Sequence, residues 1–243
     1  MLAVVGDTDL QHRALTAFHR FGSCGAVLPD LSAGHLDGWG MVGYGDQGPT
    51  YVARSAGGVE AERAMYQDAI ARAVAWQNPV VIVHFRKASQ GAVEIENVHP
   101  FIDAPWVFCH NGTVLSLDRL GPRPPLVGSS DSEEIFRRWR AAAWQDNPAH
   151  PMAHYVEWIG QVEKQCPYSS ITALLSDGRE LLARRSFGPP LREQDTPEIY
   201  DRYYTLYHWK DGRRHIFSSE RLPELAGTWQ LLANKESVVV PIA

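Results

Sequence analysis

The sequence predicts a layered α+β domain in which two stacked β-sheets carry helices on their outer faces. β-prone runs fall into two groups, one in the first half of the chain and one after residue 170, with helical patterns between them. Asp-Gly dipeptides at 177–178 and 211–212 each separate two such runs, which is typical of antiparallel hairpins. Because no stretch has interdomain linker composition, we expect one domain over residues 1–243.

The first half alternates strands with helices. Apolar and β-branched runs predict strands over residues 2–5, 39–44, 50–54, 80–85 and 106–109. Asp9 is the predicted cap of a helix over 10–21, whose apolar residues share one face. An alanine-rich helix over 60–77 stops before Pro79, because proline cannot continue a helix.

The second half begins with helices and then turns to strands. Ser130 or Asp131 caps a helix, since SDSEEIF places carboxylates in the first helical turn, and a further helix covers 152–165. The proline-rich segment 121–125 and the stretch 187–195 are expected to be long loops. The predicted strands cover 171–175, 180–184, 203–209, 214–218, 229–232 and 237–242.

Composition narrows the classes of function. The net charge is −5, and no basic stripe interleaved with aromatic residues occurs, so neither nucleic acid nor an anionic membrane is expected as a partner. No signal peptide or membrane-spanning run is visible, which favours a cytoplasmic location. Cys24, Cys109 and Cys166 show no metal-ligand or disulfide spacing, so we expect no metal site, and no cofactor motif is present.

Polar residues that follow apolar strands are the first candidates for chemistry. Asn111 and Gly112 end the run WVFCHNG, and an Asn amide with a glycine N–H can stabilise an oxyanion. The same dipeptide is also the commonest hairpin turn, which would lead into a strand over 113–115. Arg86 follows the run 80–85 and can grip a carboxylate through two hydrogen bonds, or simply end a strand in solvent.

Two further candidates have equally plain structural explanations. Asp131 can bind an ammonium group, but capping its helix would explain it as well. His99 precedes Pro100, so its backbone is held extended, and a hydrogen-bonded structural histidine is the default interpretation. On the residues alone, these alternatives stay open.

Six segments, taken together, carry a resemblance to a known family. They are HLDGWG (35–40), HFRKAS (84–89), NVHPF (97–101), WVFCHNG (106–112), GSSDSE (128–133) and IFSSERL (216–222). Their order and spacing resemble class II glutamine amidotransferases, in particular the short stand-alone members of this N-terminal nucleophile hydrolase family. The resemblance covers nearly the whole chain, and it implies a four-layer αββα sandwich with largely antiparallel sheets.

The resemblance implies a role for each polar candidate. Arg86 would hold the α-carboxylate of glutamine, helped by Ser89 where the family usually has threonine. Asp131 would bind the α-amino group. Asn111 and the N–H of Gly112 would form the oxyanion hole, and Gly112 would also line the substrate pocket.

His99 and one loop complete the implied site. His99 would shape the glutamine pocket, and the loop HLDGWG would lie beside the nucleophile as a supporting segment. The residues of this loop that carry the resemblance are His35, Asp37, Gly38 and Trp39. The implied ligand is glutamine or a γ-glutamyl amide, and the implied partner of an active member is a separate ammonia-accepting protein. Aromatic residues near 203–209 could also serve a homodimer interface.

The nucleophile is where this chain departs from the family pattern. Family members use an N-terminal cysteine whose thiolate attacks the amide while its own α-amine serves as base. An alignment without gaps places Leu2 at that position, and leucine cannot form a thioester. Retention of Met1 is also expected, since a leucine at position 2 disfavours its removal.

Three functions therefore compete. The first is a catalytically impaired protein that keeps a pocket for glutamine or a γ-glutamyl amide. The second is an active amidotransferase or γ-glutamyl amidohydrolase, with its nucleophile outside this sequence or supplied by Cys24 after cleavage. The third is a protein-interaction module that uses the same fold without a ligand.

Overall fold

The computed structural model describes residues 1–29, 31–45 and 47–242. Its helices are α1 Thr8–Phe18, α2 Phe21–Cys24, α3 Arg63–Ala75, α4 Asp131–Asp146, α5 Pro151–Gln165 and α6 Pro197–Tyr203. Its strands are β1 Leu2–Val5, β2 Trp39–Gly45, β3 Gly48–Ser55, β4 Val80–Phe85, β5 Phe101–Asp103, β6 Trp106–Asn111, β7 Thr172–Ser176, β8 Glu180–Arg184, β9 Tyr207–Asp211, β10 Arg214–Ser218, β11 Trp229–Leu231 and β12 Ser237–Pro241.

The described strands form two antiparallel sheets. The first has the order β11-β9-β10-β1-β4-β2-β3, and the second has the order β12-β8-β7-β6-β5. Residues of α1 and α3 share one apolar core with the first sheet, and residues of α4 and α5 share another with the second sheet. A third core, which includes Ala3, Val107 and Leu174, lies between the sheets. The predicted α+β fold, a four-layer αββα sandwich, is confirmed.

Strand β1 lies inside the first sheet and contributes to two of these cores. It pairs with β4 and β10, and Leu2 is opposite Val83 on one side and Ser218 on the other. Side chains alternate across a strand. Leu2 and Val4 therefore belong to the core between sheet and helices, which we call the helix-side core, whereas Ala3 belongs to the core between the sheets.

Two predicted segments differ from the structure. Helix α1 is capped by Asp7, whose side chain accepts a hydrogen bond from the N–H of Leu10 (2.9 Å), so Asp9 is not the cap. The run 203–209 is not one strand. Tyr203 is the last residue of α6, a helix that the sequence did not predict. Strand β9 begins only at Tyr207.

The Asn-Gly hairpin is also wrong. Strand β6 pairs with β5 and β7, and no strand follows directly after Asn111 within the described chain. Gly112 has φ +134°, and a Cβ there would lie 2.0 Å from the carbonyl oxygen of Ser170. The glycine is therefore required for close approach of two backbone segments. In contrast, both Asp-Gly hairpins are present, joining β7 to β8 and β9 to β10.

Candidate functional site

A cavity of about 540 Å³ lies where β4 and β6 end and α4 begins. Seven of the residues selected from the sequence line it: His35, Arg86, Ser89, His99, Asn111, Gly112 and Asp131. Leu2, Asp37, Gly38 and Trp39 do not line it. The structure thus brings the proposed oxyanion donors together with the proposed carboxylate and ammonium ligands.

Arg86 is held at the end of β4 by backbone atoms. Its N–H bonds to the carbonyl oxygen of Gly38 (2.8 Å), and its guanidinium donates to the carbonyls of Gln90 (2.9 Å) and Ala92 (3.0 Å). Burial lowers the pKa of Arg86, while nearby Asp37 and Asp131 favour its charged form. With a side chain of fixed direction and a relative exposure of 3%, Arg86 presents a preorganised cation to the cavity.

Asp131 is free of the capping role that the sequence left open. The cap of α4 is Ser130, whose hydroxyl accepts from the N–H of Glu133 (3.2 Å). One carboxylate oxygen of Asp131 accepts from the N–H of Val114 (2.7 Å). Burial raises the pKa of Asp131, although His110 and the N–H of Val114 stabilise its ionised form. Asp131 therefore places a nearly buried carboxylate in the same cavity as Arg86.

The side chain of Asn111 is oriented by a histidine pair. His84 Nε2 lies 2.9 Å from Asn111 Oδ1, and His99 Nδ1 lies 3.2 Å from His84 Nε2. Since Oδ1 can only accept, a proton on His84 Nε2 would complete this hydrogen bond and leave the amide nitrogen of Asn111 available as a donor. Burial lowers the pKa of both histidines well below 6.5, with nearby positive charge adding to the effect. The pair is therefore neutral at pH 7.

Sequence reasoning missed His84, although it lies on β4 only two positions before Arg86. It also missed Thr113, Ser169 and Tyr204, which line the cavity together with the predicted Ser89. Ser89 Oγ lies 2.7 Å from Thr113 Oγ1, and the N–H of Thr113 donates to Ser169 Oγ (3.0 Å). The hydroxyl of Tyr204 donates to the same Ser169 oxygen (2.9 Å). These residues come from distant segments and have no shared sequence motif.

The loop HLDGWG supports the site chiefly from behind. Asp37 accepts from the N–H of Ala88 (2.8 Å), which fixes the segment after Arg86. Trp39 is fully buried in the helix-side core, and its indole donates to Glu62 (2.7 Å). Only His35 of the four loop residues reaches the cavity, and burial lowers its pKa to about 4.

A second, small cavity of about 30 Å³ adjoins the large one at Asn111. Met1 lines it, and the Met1 amino group donates to Ser219 Oγ (3.0 Å). Burial lowers the pKa of that amino group to about 6. Leu2 is fully buried in the helix-side core instead, so the structure does not bring its side chain to Asn111 and Gly112.

None of the described cysteines lines the large cavity. Cys24 is exposed, whereas Cys109 and Cys166 are buried. Burial raises the pKa of Cys109 to about 12 and raises that of Cys166 as well. Because the thiolate is the nucleophilic form, burial makes both thiols poorer nucleophiles.

The described residues contain neither a metal-binding group nor a membrane-spanning helix. No group of three His, Cys, Asp or Glu side chains in 1–29, 31–45 and 47–242 is arranged to hold a metal ion. In the same ranges, every helix is too short or too polar to cross a membrane.

Comparison with known proteins places this geometry in context. The profile of the family "Glutamine amidotransferases class-II" matches residues 16–193, a range that does not include Leu2. The Escherichia coli protein YafJ is 30% identical over 163 residues, covering 61% of this chain and 60% of YafJ. The aligned regions span 60% or less of the curated relatives' own lengths.

Solved structures share the fold at low sequence identity. A protein from Pseudomonas aeruginosa, described as a predicted glutamine amidotransferase, has a TM-score of 0.54 at 19% identity over 87% of this chain and 88% of its own. The allosteric regulatory enzyme of purine biosynthesis has a TM-score of 0.62 at 14% identity over 99% of this chain and 46% of its own. At these identities the likeness concerns the fold alone.

Proposed function

The chain belongs to the class-II glutamine amidotransferases, and we propose that it binds glutamine or a γ-glutamyl amide without cleaving it at an ordinary enzymatic rate. One observation carries the proposal: Arg86, Asp131, Asn111 and Gly112 line a single cavity, and no described cysteine does. The first half of this observation supports binding. The second half supports impaired catalysis.

The charged pair suits the head group of an amino acid. A free α-amino acid presents a carboxylate and an ammonium on one carbon, and Arg86 and Asp131 offer the opposite charges within the same cavity. Both residues are less than 9% exposed, and burying charge is costly unless a partner compensates it. A zwitterionic ligand would supply that compensation for both residues at once.

The amide end of the ligand suits Asn111 and Gly112. With Oδ1 of Asn111 taken by His84, its amide nitrogen and the Gly112 N–H are the donors that would face a ligand carbonyl. In an active family member, such donors stabilise the oxyanion formed on thiolate attack. In a protein that only binds, they would still select a side-chain carbonyl.

The missing step is nucleophilic attack. In the family mechanism a thiolate adds to the amide carbon, the C–N bond breaks, ammonia leaves, and water then releases glutamate from the thioester. The alignment without gaps assigns the nucleophile position to Leu2, whereas Met1 is the residue that lines the small cavity beside Asn111, and neither side chain carries a thiol. Cys109 is a poor substitute because its pKa of about 12 keeps the thiol protonated.

Cys24 is a poor substitute for a different reason. Cleavage before it would remove β1 and α1. Strand β1 is paired on both sides, and both elements contribute fully buried residues to the helix-side core.

The cytoplasmic location, the separate ammonia acceptor and the homodimer remain predictions.

Ligand binding is tested by thermal unfolding. With L-glutamine or L-glutamate at a hundred times its dissociation constant, the midpoint should rise by roughly 5–10 °C, since such a ligand adds ~2.7 kcal/mol. Arg86→Gln should abolish the shift, because it removes the carboxylate partner. Arg13→Gln should preserve it, because Arg13 is a half-exposed residue of α1 paired only with Asp9. If no ligand shifts the midpoint, the interaction-module alternative replaces the binder.

Turnover is tested by measuring ammonia and glutamate release. The unaltered chain should show no release above background, whereas Leu2→Cys with Met1 removed should gain release if position 2 can turn toward Asn111. Release by the unaltered chain at ~1 per second or faster, the ordinary range for enzymes, would show that the amidohydrolase alternative is correct.

A further inference from the structure

We propose that the preferred ligand is a γ-glutamyl amide whose amide nitrogen carries an aromatic or bulky apolar substituent, rather than free glutamine. The inference rests on the proposed function, since it presumes that Arg86 and Asp131 hold the amino-acid head group. What carries it is a group of three tyrosines, Tyr200, Tyr203 and Tyr204, which line the same cavity and which we call the aromatic wall.

Helix α6 builds the aromatic wall. The hydroxyl of Thr196 caps the helix by accepting from the N–H of Ile199 (3.3 Å), and Pro197 starts it. Residues three and four apart share a helix face, so Tyr200 meets Tyr204 at its end, with ring centroids 5.0 Å apart. Tyr203 packs on Tyr204 at 4.7 Å. The wall is therefore a preformed surface.

Two tyrosines of the aromatic wall share the lining of a second cavity with Asn111. Tyr203, Tyr204 and Asn111 all line both the large cavity and the small cavity beside Met1. Arg86 and Asp131 line only the large one. A ligand held by its head group at the charged pair, with its carbonyl at Asn111, would thus direct its amide nitrogen toward the tyrosines.

The hydroxyl groups of the wall are partly engaged elsewhere. Tyr200 accepts from the N–H of Leu191 (3.1 Å), and Tyr204 donates to Ser169 (2.9 Å). Tyr200 and Tyr204 are themselves buried in a cluster with Leu28, and they support Tyr203, the partly exposed ring of the wall, whose carbon surface is offered to a ligand. The remaining apolar lining at this end comes from Leu28, Leu31 and Leu191.

The basic residues Arg192 and Lys87 of the lining are already engaged with groups of the protein. Arg192 lines the cavity but is paired with Asp195, whose side chain is fully buried. Lys87 donates to the carbonyl of Ser32 (2.9 Å). Free glutamine would end at Asn111 and leave the apolar part of a cavity of about 540 Å³ in contact with water. Filling it with an apolar group removes that contact.

Binding measurements across four ligands test the proposal. Isothermal titration should give γ-L-glutamyl-p-nitroanilide an affinity about tenfold higher than L-glutamine, since stacking on one or two rings adds ~1.4 kcal/mol. γ-L-Glutamylethylamide should lie between them, and γ-L-glutamylglycine should bind no better than glutamine. Equal or tighter binding of glutamine than of the anilide would overturn the proposal while leaving the proposed function intact. If none of the four binds, both are overturned.

Variants locate the effect at the aromatic wall. Tyr203→Ala should lower affinity for the anilide about tenfold and leave affinity for glutamine unchanged, whereas Tyr203→Phe should keep both. Tyr207→Ala is the matched control, because Tyr207 lies on β9 and lines neither cavity. Leu31→Ser changes a residue that is 40% exposed, so it should fold even if Tyr203→Ala does not. It should weaken the anilide selectively, and an equal loss for glutamine would contradict the proposal.

Discussion

Met1, just before β1, and Asn111, at the end of β6, line the same small cavity, yet the two chain segments have side chains of opposite character. Asn111 is polar and oriented by His84, and Gly112 fits against the backbone of Ser170. Met1 and Leu2 are apolar and buried in two different cores. The difference shows that hydrogen bonds and backbone packing constrain the identities of Asn111 and Gly112. At position 2 the core requires only an apolar side chain.

The largest expected effect is the loss of stability on substituting Gly112, which follows β6. Gly112→Ala should lower the free energy of unfolding by about 4 kcal/mol, since backbone strain of ~1–3 kcal/mol adds to a similar overpacking cost. The added Cβ would lie 2.0 Å from the Ser170 carbonyl oxygen. Urea unfolding measures the change. Gly212→Ala is a control, because nothing lies within 4 Å of a Cβ there although its φ is also positive.

The next largest effect is the loss of stability on substituting Leu2, the first residue of β1. Leu2→Ala should cost about 3 kcal/mol of stability, because it leaves a cavity around a residue with no exposed surface. Affinity for glutamine, measured on the folded variant, should stay within about twofold of the original, since Leu2 does not line the cavity. A loss of affinity greater than tenfold would mean that position 2 belongs to the binding site after all.

A pH series sharpens the comparison at the histidine pair. Because the folded pKa values of His84 and His99 lie well below 6.5, the unfolded chain binds more protons below that pH. Stability should therefore fall as the pH drops from 6.5 to 5, by up to about 1.4 kcal/mol per pH unit for each histidine. His84→Gln keeps a donor for Asn111 and removes one titrating group. The dependence of stability on pH should therefore decrease by the contribution of one histidine. Asp131 acts in the opposite direction, since its folded pKa is raised.

The smallest effect concerns the rim of the pocket. Ser89→Ala removes the hydrogen bond to Thr113 and should lower the free energy of unfolding by about 0.5–1 kcal/mol. Ser89→Thr, which restores the residue usual in the family, should leave stability unchanged within ~0.5 kcal/mol. Titration with L-glutamine checks whether either variant moves the affinity. A loss as large as that of Arg86→Gln would make Ser89 a principal ligand.

Some of this was available from the sequence because it is encoded locally. The Asp-Gly hairpins need only two residues of special backbone geometry between two apolar runs. Helix α6 was missed because its segment contains several tyrosines, which favour strands, and only Thr196 and Pro197 mark its start. The Asn-Gly pair gave a wrong prediction because it is a local turn signal, whereas the conformation of Gly112 is set by the close approach of Ser170, which is distant in sequence.

The sequence by itself determined the family, the alternation of strands and helices, and the identities of Arg86, Asn111, Gly112 and Asp131 as candidates, since motifs and periodicity are written along the chain. Only the tertiary structure decided that these residues share a cavity, that His84 contacts the Asn111 amide, and that tyrosines at the end of α6 line the same cavity. These contacts join segments that are distant in sequence. Their geometry depends on how two sheets stack, which no single segment encodes.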